Sequence, residues 1–149
     1  VRDMIARLER DLERLLEDHP DAVIARSLPG MGTTLTAEFV ACVGDIRRFA
    51  SGDAMASAAG LAPVQRQSGR SAAWRRAFGG DKALKRVFFQ SAFCAVMIGD
   101  PSSRTFYERK RREGKHRNQA LIALARRRVN VLWAMLRSRR TFEPALKAA

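Results

Sequence analysis

Leu28-Pro29-Gly30-Met31-Gly32-Thr33-Thr34, with Ala37 one helical turn further on, is the stretch on which the fold turns. Pro29 cannot continue a helix and pushes Leu28 toward extended geometry. Gly30 and Gly32 can take positive φ and put no side chain in the way. Thr33 or Thr34 can cap a following helix, whose first amides then point outward. Two short helices joined by a tight glycine hairpin follow, over about 20–44. Unpaired N–H groups at such a turn suit an anion, and a helix N-terminus favours a phosphate oxygen.

The same residues fit a plain helix-turn with a glycine stop. They also resemble a helix-hairpin-helix, a motif that grips nucleic-acid backbone without reading bases. Charge favours the second. The chain carries 28 Lys+Arg against 15 Asp+Glu, a net +13. Residues 1–60 hold 7 basic and 10 acidic side chains, or −3, and residues 61–149 hold 21 and 5, or +16. A field of that sign and size attracts polyanions. Arg109-Lys110-Arg111-Arg112 with Lys115 and Arg117, Arg126-Arg127-Arg128, and Arg75-Arg76 form the basic clusters. A membrane surface is disfavoured, because the basic helices also carry an apolar face that a folded core would consume.

Outward from the hairpin the periods are helical. Val1, Ile5, Leu8, Leu12 and Leu15 fall at spacings of four, three, four and three, a heptad seam over 1–18. It reads as the end of a coiled coil and a homo-oligomer contact. His19-Pro20-Asp21 ends it, and a first hairpin helix over about 21–27 turns Val23 and Ile24 inward. The second hairpin helix runs from about Thr33 to Val43. Ser51 caps a short alanine helix over 53–59 that stops at Gly60. Residues 61–80 are polar, Gly- and Pro-marked and without period, a length at which a loop is usually functional or disordered. Asp81 caps an apolar helix over 82–98, the expected centre of the core. Pro101 opens a helix over 101–112 with Phe106 and Tyr107 inward, Gly114 stops it, and a last helix runs over about 116–138. Residues 141–149 are a tail. The class is all-α, a compact helical domain preceded by a coiled-coil stump.

Composition narrows the rest. One domain of 149 residues holds enough apolar side chains for a core, and no apolar run is long enough to span a membrane. Arg2, Asp3 and Arg7 stand where a secretory segment would be apolar. The chain opens with Val, consistent with a non-standard start or a piece of something longer. Cys42 and Cys94 lie in apolar helical contexts without ligand spacing, as reduced thiols of a cytoplasmic protein do. His19 and His116 are isolated, and no metal site is expected. Ser68 stands before Gly69 in the long loop, between Arg66 and Arg70. An activated serine can attack a phosphodiester, and flanking guanidiniums can hold the phosphate bidentately. An ordinary loop serine fits the same residues.

Several ordered motifs carry a resemblance. They are Leu28 to Gly32, Ala37-Glu38, Gly44-Asp45-Ile46-Arg47-Arg48-Phe49, Ala59-Gly60-Leu61-Ala62-Pro63 and Gln67-Ser68-Gly69. Further on stand Asp100-Pro101, Phe106-Tyr107, Gly114-Lys115, Ala120-Leu121 and Ala125-Arg126. Over about 20–140 the sequence is similar to the carboxy-terminal domain of the IS110/IS116 transposases of bacterial insertion sequences. The resemblance implies DNA transposition by a recombinase directed by a structured guide RNA. It implies a composite active site: a RuvC-like domain whose four acidic residues bind magnesium, and a serine nucleophile that would be Ser68. The acidic domain has no counterpart in this sequence, so the chain alone is expected to be catalytically incomplete and to hold no cofactor. Asp81 follows Gly80 where the family often has Asn.

The nucleic-acid-binding residues expected are Gly30, Gly32, Thr33, Thr34, Arg66, Arg70, Arg75, Arg76, Arg111, Arg112, Lys115 and Arg117. The partners expected are DNA, the guide RNA and a second copy through residues 1–18, with no membrane and a nucleoid-associated location in the bacterial cytoplasm. The competing reading is a non-enzymatic helix-hairpin-helix DNA-binding module, which has no use for a long loop holding a serine between arginines.

Overall fold

The computed structural model describes residues 1–62 and 81–144. Those residues form seven α-helices and one 3-10 turn, with no strand among them. The helices are α1 (Arg2–Glu17), α2 (Pro20–Arg26), α3 (Thr33–Val43), α4 (Gly52–Ala58), α5 (Lys82–Met97), α6 (Pro101–Arg112) and α7 (Arg117–Ser138). The 3-10 turn, Ile46–Arg48, had no counterpart in the sequence reading; the Asp45 carboxylate starts it by accepting from the Arg47 N–H at 2.8 Å.

Caps and breakers set these boundaries. Ser51 Oγ accepts from the Ala54 N–H at 3.0 Å, and Asp81 accepts from the Ala83 and Leu84 amides at 2.9 and 3.1 Å. Asp100 accepts from the Ser103 N–H at 3.1 Å, and Pro101 occupies the first turn of α6. Gly60, Gly99 and Gly114 close their helices at φ 70°, 76° and 93°, where a Cβ would be strained.

Helix α7 is the axis of the body and packs on α2, α4, α5 and α6. Its apolar face, Leu121, Leu124, Ala125, Val129, Leu132 and Leu136, is buried against Val87, Phe88 and Ala92 of α5 and Met55 and Ala56 of α4. Phe39 of α3 meets Phe88 edge-on, with centroids 5.9 Å apart. Each such side chain contributes about 1.5–3 kcal/mol by leaving water. Close approach of α4 to α7 depends on Gly52, where an added Cβ would lie 2.1 Å from Asn130 Oδ1.

Three details differ from the sequence reading. In α2 it is Ala22, Ile24 and Ala25 that are buried, while Val23 is 48% exposed. Neither Thr33 nor Thr34 caps α3; Gly32 is the N-cap, and Thr33 Oγ1 instead donates to Glu13 Oε1 of α1 at 3.2 Å. The expected α1 seam is not part of this core: Ile5 is 52%, Leu8 61% and Leu15 72% exposed. Leu16, one position off that seam, is the residue α1 buries. The tail is tied at its start: Phe142 packs on the core and its N–H donates to Ser27 Oγ at 2.7 Å.

Candidate nucleic-acid interface

Two groups of the expected binding residues lie within the described structure, and they are separate. Gly30, at φ 92°, is pressed against α5, where an added Cβ would meet the Ser91 carbonyl oxygen at 2.4 Å and the Ala95 nitrogen at 2.9 Å. Its glycine requirement is therefore one of helix packing. Gly32 is exposed, and a Cβ there would meet nothing within 4 Å. The N-terminus of α3 already faces an anion: Glu13 accepts from Thr33 Oγ1 and from Arg26 Nη2, both at 3.2 Å. A phosphate approaching Gly32 and exposed Thr34 would meet that carboxylate.

The second group sits where α6 turns into α7. Arg109, Lys110, Arg111 and Arg112 form the last turn of α6, where cations oppose the negative end of the helix dipole. Arg111 Nη1 donates to the Lys115 carbonyl at 2.9 Å and closes the turn over Gly114. Lys110 pairs with Glu113 at 3.1 Å; that bond, helped by Arg109 and Lys115, holds the Glu113 carboxyl below its usual range. Arg109 and Lys110 lie over the Phe106 ring at 5.2 and 5.4 Å, and Arg117 lies over Phe93 at 5.5 Å. Aromatic faces steady these cations without neutralising them. Arg112, Lys115 and Arg117 are exposed and have no carboxylate within 4 Å among the described residues. Arg111, Arg112, Lys115 and Arg117 thus share one corner. The hairpin is elsewhere: it touches Ser91 and Ala95, whereas Arg117 covers Phe93, half a helical turn away on the opposite face of α5.

The run Arg126-Arg127-Arg128 does not form a surface cluster. Arg127 is exposed and stacks on Phe106 at 5.0 Å. Arg126 Nε donates to the Leu61 carbonyl. Arg128 is 4% exposed; its Nε and Nη2 donate to Ser91 Oγ at 3.1 and 2.7 Å, Nη1 to Ser103 Oγ at 3.4 Å, and Nη2 also to the Pro29 carbonyl. Burial lowers its pKa to about 10, with Asp100 working the other way. The signal lay in the spacing: Leu124, Arg128 and Leu132 stand four apart on the apolar face.

Ser68, Arg66, Arg70, Arg75 and Arg76 lie outside the described residues. The stems of their segment are described. The Leu61 N–H donates to the Ala56 carbonyl at 2.8 Å, and the Asp81 N–H donates to the Ala58 carbonyl at 2.7 Å. Leu61 and Asp81, on either side of that segment, are therefore both bonded to the C-terminal turn of α4. Among the described residues no three His, Cys, Asp or Glu gather into a metal-holding group. None of the described helices is long and apolar enough to cross a membrane. Cys42 and Cys94 are half-buried free thiols, and burial pushes that of Cys42 up.

Comparison with known proteins places the chain among the bacterial transposases. It belongs to the IS116/IS110/IS902 transposase family, whose profile matches residues 22–108. It is 49% identical over 140 residues to the uncharacterized 42 kDa protein of insertion element IS900 from Mycobacterium paratuberculosis, covering 93% of this chain and 35% of that protein. It is 43% identical over 149 residues to the uncharacterized 43.6 kDa protein of insertion element IS110 from Streptomyces coelicolor, covering 99% of this chain and 36% of that protein. It is 29% identical over 147 residues to the pilin gene-inverting protein of Moraxella bovis, covering 95% of this chain and 46% of that protein. The chain spans about a third of the length of the two insertion-element relatives.

Proposed function

We propose that this chain is the DNA-engaging, serine-bearing helical part of a transposase that cuts and rejoins DNA strands. Family membership supports the reaction class. The observation that carries the reading is the cationic corner at Arg111, Arg112, Lys115 and Arg117, exposed where α6 turns into α7. Ser68 is seven residues from Leu61 in sequence, at most about 25 Å of fully extended chain. Leu61 is bonded to Arg126, and Arg126 is nine residues, about 14 Å, along α7 from Arg117.

In the proposed step the Ser68 oxygen attacks a backbone phosphorus. An O–P bond forms and the bond to one sugar oxygen breaks. The hydroxyl proton leaves the serine, and the departing sugar oxygen takes one up. Arg66 and Arg70 hold the phosphate and offset its charge. The magnesium of the family belongs with an acidic domain; the described residues offer no carboxylate set for it, and no step is routed through it. Guidance by a structured RNA, and pairing of two copies through residues 1–18, belong to the same proposal.

The test is trapping of protein–DNA adducts by a whole transposase built with this domain, its acidic domain, guide RNA and donor DNA. Ser68→Ala is expected to abolish adducts, and Ser71→Ala, the nearest alternative, to leave them. The reverse pattern would assign the nucleophile to Ser71. Adducts unaffected by either change would remove the serine mechanism and leave the non-enzymatic DNA-binding module.

A further inference from the structure

We infer that the cleft at the C-terminal end of α7 holds a backbone phosphate of nucleic acid, a second contact separate from the corner at the N-terminal end of that helix. The inference rests on the nucleic-acid reading above and is independent of the serine. The cleft, about 500 Å³, lies between the start of α2, the 3-10 turn and the end of α7, and its walls carry His19, Asp21, Asp45, Arg47, Arg137 and Arg139. Both carboxylates are occupied. Asp45 accepts from the Arg47 main-chain N–H at 2.8 Å, from Nε at 3.1 Å and from Nη2 at 2.9 Å. Those bonds, with Arg137 adding its charge, hold the Asp45 carboxyl below its usual range. Asp21 accepts from Arg139 Nη1. Each pair fixes an arginine at the wall and leaves part of its fork of N–H groups open.

What the walls still offer are donors. Arg137 is exposed, lies over the Trp133 ring at 5.7 Å and has no carboxylate within 4 Å among the described residues. The ring beneath it is fixed, because Trp133 Nε1 donates to the Phe49 carbonyl at 3.3 Å. His19 Nδ1 caps α2 by accepting from the Ala22 N–H at 3.3 Å, which leaves the neutral ring's proton on Nε2, a donor. Arg139 ends α7 at φ 58°, a left-handed position that helices usually give to glycine, so a cation is kept there at a backbone cost. Guanidinium forks suit the paired oxygens of a phosphate. A chain of phosphates fits better than a small anion. Exposed Arg48 and Arg140 follow Arg47 and Arg139 in sequence, also without a carboxylate within 4 Å among the described residues, and extend the charge past the cleft. Helix α7 has 22 residues, about 33 Å, so corner and cleft stand about one turn of duplex apart.

The experiment measures Kd of this chain across a range of salt for a DNA duplex of about 20 base pairs, long enough to span both ends of α7, and for an RNA duplex of equal length. Arg137→Gln is expected to raise Kd roughly threefold to tenfold and to reduce the log–log salt slope by about one. The nucleic acid on which this is seen names the source of the phosphate, and an effect on both marks backbone contact common to them. Arg137→Lys keeps the charge and should restore the slope. Arg140→Gln, beside the cleft and away from Trp133, should weaken binding in the same direction. Lys85→Gln, an exposed cation of α5 outside both sites, should stay within about twofold of the parent. Unchanged binding in Arg137→Gln, with Arg112→Glu and Lys115→Glu together weakening it, would overturn the inference and leave the nucleic-acid reading standing. An equal loss in Lys85→Gln would overturn it by showing diffuse charge alone. So would a loss in Arg137→Gln that comes with a lowered melting temperature and leaves Arg140→Gln binding like the parent. If the corner variant also binds like the parent, the reading beneath the inference goes with it.

Discussion

Replacement of Arg128 by methionine should destabilise the domain by about 3 kcal/mol, and the sign follows from competing terms of known size. Holding a guanidinium in the interior, with its pKa lowered to about 10, costs on the order of 3 kcal/mol. Against this stand bonds from a charged donor to Ser91 Oγ, Ser103 Oγ and the Pro29 carbonyl, each worth roughly 1.5–3 kcal/mol. Methionine removes the burial cost and all of these bonds. Ser103 Oγ keeps Asp100, to which it donates at 2.6 Å, but the Pro29 carbonyl loses its donor. An orphaned buried acceptor costs a further 1–3 kcal/mol, roughly. The losses win, as they generally do when one partner of a buried charged network is removed.

Urea unfolding followed by circular dichroism measures this directly, as a midpoint lowered by on the order of 1–2 M at unchanged slope. Arg128→Lys discriminates further. Its ammonium stays charged but cannot reach acceptors on the hairpin, α5 and α6 together, so it should be less stable than Arg128→Met. The pH dependence has a definite sign. Above about pH 10 the folded form releases this proton while the unfolded chain keeps it up to the ordinary arginine range. The unfolded state then binds more protons, so the residue's contribution to stability rises with pH in that window. The difference between parent and Arg128→Met isolates it from other groups. A methionine variant within about 0.5 kcal/mol of the parent, or a lysine variant at least as stable as methionine, would refute the reasoning.

Gly30→Ala should destabilise strongly, because its Cβ would lie 2.4 Å from the Ser91 carbonyl oxygen at a φ of 92°, whereas Gly32→Ala, with nothing within 4 Å, should lose only the roughly 1 kcal/mol by which alanine is the poorer N-cap of α3. If Gly32→Ala also binds duplex DNA like the parent, the hairpin is structural only. Binding to duplex DNA should weaken with salt at a log–log slope near −5 if about six phosphates are neutralised, and Arg112→Glu with Lys115→Glu should flatten it; a slope near zero in the parent would remove the corner as an interface. Leu8→Glu with Leu12→Glu should abolish self-association, since Leu8 is 61% exposed on an apolar stripe, and a parent that sediments as a monomer at high concentration would end that idea.

The helices were legible because each is bounded by a residue whose local chemistry leaves little choice: Ser51, Asp81 and Asp100 as caps, Pro101 as a first-turn residue, Gly60, Gly99 and Gly114 as stops. Seams are read less securely than ends. Leu8 and Leu15 keep a perfect heptad and still face outward, because period states that a face is apolar and not what covers it. The hairpin shows the same limit. Two glycines in a turn are compatible with backbone exposure, yet Gly30 is consumed by contact with α5, a neighbour some sixty residues away in sequence.

The arginine run makes the point in full. Adjacent helical residues point about 100° apart, so three successive arginines span about 200° and cannot all meet one partner. That much sequence alone requires. The four-residue step from Leu124 to Arg128 to Leu132 requires further that the third arginine lies among apolar side chains. A buried guanidinium must find acceptors. Which ones it finds is a matter of long-range packing: a carbonyl from the hairpin and hydroxyls from α5 and α6. The same run thus divides by angle into a hydrogen bond to the Leu61 carbonyl, an aromatic stack on Phe106 and a structural tie in the core. Among the described residues, one set of cations left for a polyanion stands where α6 ends and α7 begins, outside the arginine run.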